Sequence, residues 1–326
     1  MTRRKIMAYQ EDLHPLLGKA VEHINRVMVG KRDIAILSLA ALLAKGHVLL
    51  EDVPGVGKTM MVRALAKSIG ADFKRIQFTP DLLPSDVTGV SIYNAKTMEF
   101  EYRPGPIMGN IVLADEINRT SPKTQSALLE AMEEGSVTVD GHTMQLADPF
   151  FVMATQNPVE YEGTYPLPEA QLDRFLFKLR MGYPSFNEEL DVLSLQEKSH
   201  PIETLEPVIA KEDFIFLQRE VQNVRADDSI KEYIVEIVQK TRQHPSVQLG
   251  VSPRGSIALM KAAQAYALLH HRDYVIPDDI QYLAPFTLPH RMMLHPEAKF
   301  EGIQAEAIVR EIMSAVKVPV QRSAVR

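Results

Sequence analysis

The stretch "HVLLEDVPGVGKTMMV", His47 to Val62, decides how the rest of the chain is read. A short apolar run, "HVLL", leads into a glycine-containing loop that ends in Gly57-Lys58-Thr59, and a helical pattern, "KTMMVRALAKSIG", follows. Strand, glycine loop and helix in this order form the setting of a phosphate-binding loop, G-x-x-x-x-G-K-[ST]. That pattern has glycine at the position occupied here by Asp52. Gly55 and Gly57 let backbone amides approach a phosphate without a clashing Cβ. Lys58 reaches toward the β- and γ-phosphates, Thr59 supplies a hydroxyl for Mg²⁺, and the helix turns its positive end to the anion. Asp52, at the strand exit, is a place where a side chain can be accommodated.

Working outward, four more apolar runs alternate with helices: "DFKRIQFT", "NIVLADEI", "FFVMATQN" and "RFLFKLRM". Unalternating apolar strands between helices predict a parallel five-stranded sheet covered on both faces, an α/β core. Ser121-Pro122 reads as a helix N-cap with proline at the first helical position. Two segments break the rhythm. Val90 to Gly105 predicts a hairpin around Asn94-Ala95-Lys96, and Gly135 to Leu146 alternates around Asp140-Gly141, a type I′ hairpin signal. Two helical patterns, residues 10–28 and 33–45, precede the loop. Beyond Tyr183-Pro184 nearly every segment is helical, which sets expected domains of 1–183, an α/β core with its N-terminal helix, 184–316, an all-α domain, and 317–326, a loose basic tail.

Ligands of an open parallel sheet bind beyond the carboxyl ends of its strands, so the polar residues there are the candidates. Asp115-Glu116 follows "IVLA"; Asp115 suits Mg²⁺ and Glu116 suits activation of water, although adjacent carboxylates also occur as a solvated rim. Gln156-Asn157 closes another strand, either facing a γ-phosphate and water or serving as a turn before Pro158. Asp173-Arg174 precedes the last strand; Arg174 is an ion-pair partner or an arginine finger reaching the next subunit. In "GVSPRGSIALM", Ser252 and Pro253 open a helix and leave Arg254 in its first turn, against the helix dipole. A nearby γ-phosphate or plain solvation accounts for it. His270-His271 reads as a solvated helix end.

Composition bounds the alternatives. Hydrophobic residues make up 45% and charged residues 24%, and 36 basic against 42 acidic side chains leave a net charge of -6. That balance weighs against a non-specific nucleic-acid binder. The chain has no cysteine, which excludes disulfides, thiolate nucleophiles and Cys-ligated metals. The basic N-terminus has no apolar run behind it, and no stretch of about eighteen apolar residues exists, so neither a signal peptide nor a membrane span is expected and the cytoplasm is the default compartment.

Taken together, "VPGVGKT", "VLADEINR", "ATQNP", "LPEAQLDRFLF" and "SPR" resemble the MoxR family of AAA+ ATPases, from about Val21 to Ile312. The family's loop often reads "EDVPGVGKT", which makes Asp52 no defect. The resemblance implies an AAA+ core with two inserted hairpins and a helical lid. It implies that Val29 and Gly30 contact adenine through the backbone, and that Pro54, Gly55, Val56, Gly57, Lys58, Thr59 and Met60 form the nucleotide loop, with Thr59 and Asp115 at the metal. Glu116 would be the catalytic carboxylate, Asn157 sensor 1, Arg174 the arginine finger and Arg254 sensor 2. It further implies ATP and Mg²⁺, a ring, usually hexameric, and a chaperone-like or metal-inserting role beside a von Willebrand factor A domain protein. The client complex is not named by the sequence. Two other functions compete: a AAA+ ring acting on DNA, disfavoured by the acidic charge, and a binding switch with little turnover, disfavoured by Glu116 and Arg174.

Overall fold

In the computed structural model, which describes residues 13–157, 163–196 and 201–319, the chain divides into two compact units. Pro15–Gln218 forms one, and the residues from Arg219 onward, joined by His14, form the other. The helical character does begin after Tyr183, but the compact division falls later. Backbone and side-chain bonds tie 201–218 into the first unit: Val208 N–H donates to Ser68 O at 3.0 Å, and Gln218 Nε2 to Leu42 O at 2.6 Å.

The first unit opens with α1 (Pro15–Val27), whose Leu17, Ala20, Val21 and Ile24 are buried at helical spacing. Next comes α2 (Arg32–Leu43), apolar all round and buried from Ile34 to Leu43. A strand–helix–strand series follows: β1 (Val48–Glu51), α3 (Lys58–Ser68), β2 (Phe73–Gln77) and α4 (Pro84–Thr88). The first hairpin is β3 (Gly89–Asn94) with β4 (Glu99–Pro104). After β5 (Ile111–Asp115) and α5 (Pro122–Glu134) comes the second, β6 (Ser136–Val139) with β7 (His142–Gln145). The unit continues through β8 (Phe151–Gln156), α6 (Glu169–Leu172), β9 (Phe177–Leu179) and α7 (Phe186–Gln196). Asp140 and Gly141 have φ of 50° and 78°, the double positive value a type I′ turn demands.

The five core strands are all parallel, in the order β2-β5-β8-β1-β9. Strands β1, β5 and β8 are buried on both faces. Leu128, Leu129 and Met132 of α5 pack with Leu49, Val112, Ala114, Val152 and Ala154 on one of them. Strand β2 departs from expectation. It lies at the edge, and Lys74, Arg75 and Gln77 are exposed, so it is not covered on both faces. The register pairs Gln77 with Asp115, Leu50 with Thr155 and Glu51 with Gln156, which lines up the carboxyl ends of four strands.

The second unit contains α8 (Asp228–Gln243), α9 (Pro253–Leu269), α10 (Pro277–Thr287), α11 (Pro296–Phe300) and α12 (Ala305–Ala315). A short antiparallel ribbon, β10 (Val247–Leu249) with β11 (Met293–Leu294), is added to the expected helices. His270 differs from the solvated helix end expected. It caps α9 but is buried, its Nδ1 lies 2.9 Å from Tyr266 O, and its ring packs on Tyr266. His271 is exposed, in a left-handed conformation with φ 56°. Residues 320–326 of the expected tail lie outside the described residues.

His47, just ahead of β1, ties three elements together. Val152 N–H donates to its Nδ1 at 3.0 Å, so Nε2 carries the proton and donates to Met132 O, also at 3.0 Å. Its own carbonyl accepts Leu176 N–H at 2.8 Å. Burial lowers its pKa from 6.5 to about 4, partly offset by the bond to Met132. A base whose folded pKa is depressed contributes stability above its unfolded pKa and loses it as pH falls toward the folded one. We therefore expect the unfolding free energy to drop by about 3 kcal/mol between pH 6.5 and pH 4 on account of this side chain. Urea unfolding should show a shallower drop in His47→Gln; an identical pH profile would show that His47 is not a neutral buried tie.

Candidate nucleotide-binding and hydrolysis site

The loop between β1 and α3 has the backbone its glycines imply. Gly55 and Gly57 have φ of 86° and 90°, both left-handed. At Gly55 a Cβ would meet open space, so conformation rather than crowding calls for glycine there. Gly57 sits at the N-cap of α3 without a side-chain cap bond, so backbone amides are left to serve an anion. Lys58 Nζ donates to the backbone carbonyl of Asp52 at 2.9 Å. Burial pulls the Lys58 pKa down, while the charges of Asp115, Asp52 and Glu116 act to raise it. The cation and the Asp115-Glu116 pair therefore occupy one electrostatic neighbourhood.

Asp52, the unexpected residue of the loop, has a defined task. Its carboxylate, almost fully buried, accepts the backbone N–H groups of Met181 and Gly182, the second at 3.1 Å. It thus faces the segment beyond β9. Glu51 behaves similarly. It accepts Lys178 at 2.8 Å, Arg180 at 2.5 Å and Gln156 Nε2 at 2.8 Å. Burial would raise its pKa, but Lys178 and Arg180 together with Gln156 outweigh that and hold it below the ordinary carboxylate value.

At the end of β5, Asp115 Oδ1 accepts Thr155 Oγ1 at 2.7 Å and Oδ2 accepts Arg75 at 2.6 Å. Glu116 has φ 59° and ψ 49°, a left-handed conformation rare for a side-chain-bearing residue and typical of strained functional positions. Its N–H donates to the same Thr155 hydroxyl at 2.8 Å, and its carboxylate accepts Gln77 at 2.9 Å and Arg119 at 3.0 Å. The fully buried Thr155 therefore fixes both acidic residues.

A cavity of about 260 Å³ adjoins the glycine loop, lined among others by Val29, Gly57, Met60, Pro184, Val192 and Leu195. Val56 also lines it, whereas Pro54 is exposed. Gly30 is not part of that lining. Its φ is 73° and the Glu188 side chain occupies the place a Cβ would take. Asn157 is buried directly beyond β8, while the amide of Gln156 is committed to Glu51. Arg174 Nε lies 3.1 Å from Glu133 on α5, so the ion pair of the plainer reading is formed within the single chain. Arg254 is exposed in the first turn of α9 in the other unit, and Ser252 holds the N-cap position without a side-chain cap bond. Pro158 lies outside the described residues.

The chain is similar to known proteins along most of its length. Residues 47–177 match the ATPase family associated with various cellular activities (AAA), and residues 239–312 match the AAA lid domain. Chaperone MoxR1 of Mycobacterium tuberculosis is 42% identical over 93% of this chain and 82% of its own length. The chain belongs to the MoxR family of AAA+ ATPases. Protein MoxR of Methylorubrum extorquens is 30% identical, covering 91% of this chain and 93% of that one. A crystal structure from Cytophaga hutchinsonii, designated a candidate ATPase, superposes with a TM-score of 0.88 at 39% identity, over 97% of this chain and 98% of that one. The α/β core with its helical lid is the AAA+ fold. No helix among the described residues is long and apolar enough to cross a membrane.

Several residues of this candidate site carry no signal of their own in the sequence: Arg75, Gln77, Thr155, Lys178 and Arg180. The cavity wall from Pro184 to Leu195 does leave a signal. Phe186, Leu190, Val192, Leu193 and Leu195 give α7 more apolar residues than its exposed position needs.

The Glu51 cluster yields a stability test. Glu51→Ala removes the carboxylate shared by Lys178 and Arg180 and leaves Gln156 without its acceptor. A loss of about 1–3 kcal/mol is expected by chemical denaturation. A loss below about 0.5 kcal/mol would show that the cluster is solvated and contributes nothing.

Proposed function

We propose that the chain binds ATP with Mg²⁺ and hydrolyses it as one subunit of a ring, a hexamer, that remodels or matures protein complexes. The observation that carries this reading is the glycine loop, with left-handed Gly55 and Gly57 leading into the helix that starts at Lys58, together with the Asp115-Glu116 pair fixed through Thr155 at the carboxyl end of β5. The name of the Mycobacterium tuberculosis relative, a chaperone, supports a protein client. A von Willebrand factor A domain protein is the proposed working partner, and the compartment is the cytoplasm.

The residues fit the chemistry. Lys58, half-buried, presents its charge to the β- and γ-phosphates, where reduced solvation strengthens the attraction. One hydroxyl, Thr59, and one carboxylate, Asp115, suit a hard cation held mainly by phosphate oxygens, and Mg²⁺ there supplies neutralisation of phosphate charge. Glu116 orients and deprotonates the attacking water; Gln77 and Arg119 hold its carboxylate in place while Thr155 holds its backbone. Asn157 aids in placing that water. Val29 and Gly30 meet the base, with Val56 and Met60 along the cavity. Arg174 exchanges Glu133 for the γ-phosphate of a neighbouring subunit, and Arg254 serves as the lid's phosphate sensor. The hairpins face the client, and the first exposes Tyr93, Met98 and Phe100.

Lys58→Ala should abolish ATP binding in calorimetry, since the charge opposite the phosphates is lost; near-normal affinity would remove the phosphate-loop assignment. Glu116→Gln should bind ATP, leave it uncleaved and accumulate as a ring in size analysis. Arg174→Ala should keep binding and lose turnover, a finger being worth on the order of 10³–10⁵ in rate in GTPases. Mixing Arg174→Ala with Glu116→Gln subunits should restore activity, because the second donates its finger to the intact site of the first. Wild-type turnover by Arg174→Ala alone would leave Arg174 as the partner of Glu133 and nothing more.

A further inference from the structure

The segment that follows β9 is gripped from two sides. Asp52, in the loop after β1, accepts the N–H groups of Met181 and Gly182 on its carboxylate. Lys31, at the N-terminus of α2, donates its ammonium to the carbonyls of Met181 at 2.7 Å, Gly182 at 3.2 Å and Tyr183 at 3.3 Å. An anion holds the amides and a cation holds the carbonyls, so each charge meets the complementary end of the peptide groups. Backbone groups are mostly paired with other backbone groups, and less often with side chains or water. Here two charged side chains, one of them almost fully buried, converge on a single short segment.

The segment is placed where its position matters. Directly beyond it stand Pro184 and then Val192 and Leu195 of α7, which form one side of the cavity beside the glycine loop. Val29, Gly57 and Met60 form another, and Lys31 itself is part of the lining. Asp52 also holds Lys58 through its backbone carbonyl at 2.9 Å. One residue thus fixes the phosphate-facing lysine with its main chain and the far wall of the cavity with its side chain.

We infer that Asp52 and Lys31 are positioning residues for the nucleotide: their clamp on Met181–Tyr183 sets the far wall of the cavity against Val29 and the glycine loop. This rests on the nucleotide-binding reading above. Aspartate at position 52 is then a working part of the site, and restoring the glycine of the general phosphate-loop pattern harms it.

The test is calorimetric titration of the full chain with ADP, with thermal melting of the nucleotide-free protein alongside. Asp52→Gly and Lys31→Met should each weaken ADP binding on the order of tenfold, about the worth of one charge-assisted hydrogen bond. Lys31→Arg, which keeps a donor cation, should recover most of the affinity. Combining Lys31→Met with Asp52→Asn should weaken binding by less than the product of the single effects, because both act on one segment. Lys31→Met should melt within a few degrees of wild type, which separates positioning from general stability. Affinity within about twofold of wild type in both Lys31→Met and Asp52→Asn overturns the clamp, whatever the melting shows. If the Asp52 variants do not fold, Lys31→Met decides alone. A wild-type chain that binds no ADP overturns the nucleotide reading as well, and binding by wild type with unaffected variants overturns the clamp only.

Discussion

Parallel strand pairing places Asp115, Glu116 and Asn157 of the first unit at one edge of the sheet. In a parallel sheet all carboxyl ends emerge on one edge, and the register decides which residues stand side by side there. Here Gln77 pairs with Asp115 and Glu51 with Gln156, while Thr155 stands close enough to bond both Asp115 and Glu116. A slip of one residue in β8 would turn Thr155 to the other face and remove the shared hydroxyl. The buried, two-sided apolar faces of β1, β5 and β8 hold that register fixed, so the packing of the core and the geometry of the site are one constraint.

Charge at this edge is arranged in compensated groups. Arg75 faces Asp115, Arg119 faces Glu116, and Lys178 and Arg180 face Glu51. Asp52 meets backbone amides in place of a cation, and Lys58 meets a backbone carbonyl. Lys58 is therefore held by a neutral acceptor near several carboxylates, which leaves its charge available to an incoming phosphate. The left-handed backbone at Glu116 fits the same picture, a strained conformation kept because neighbouring bonds over-determine it.

What could be read in the sequence was local. The glycine loop, the carboxylates after "IVLA" and the Asp140-Gly141 turn declare themselves because their backbone chemistry is confined to a few neighbouring residues. Thr155, Arg75 and Gln77 were invisible because only strand register brings them to the acids. Asp52 stands out as an exception to a pattern, but its partners, Met181 and Gly182, lie far along the chain. The exposed face of β2 is not legible in the run "FKRIQ", because two-sided burial depends on neighbours that the run does not specify. The change to helices after Tyr183 does not coincide with the division between the units, because packing and backbone bonds carry the first unit on to Gln218. The pair Asp173-Arg174 does not say which of two uses its arginine serves, and the bond to Glu133 is the one a single chain forms.

This strand-end arrangement is proposed to turn over ATP. Phosphate release from ATP by the purified chain with Mg²⁺, measured at steady state with and without DNA, tests it most directly. Sustained release of many phosphates per chain, unchanged by DNA, is the predicted result. Binding of ATP without release above background would contradict the claim and leave the chain a nucleotide-dependent switch, and release that depends on DNA would assign it a different substrate.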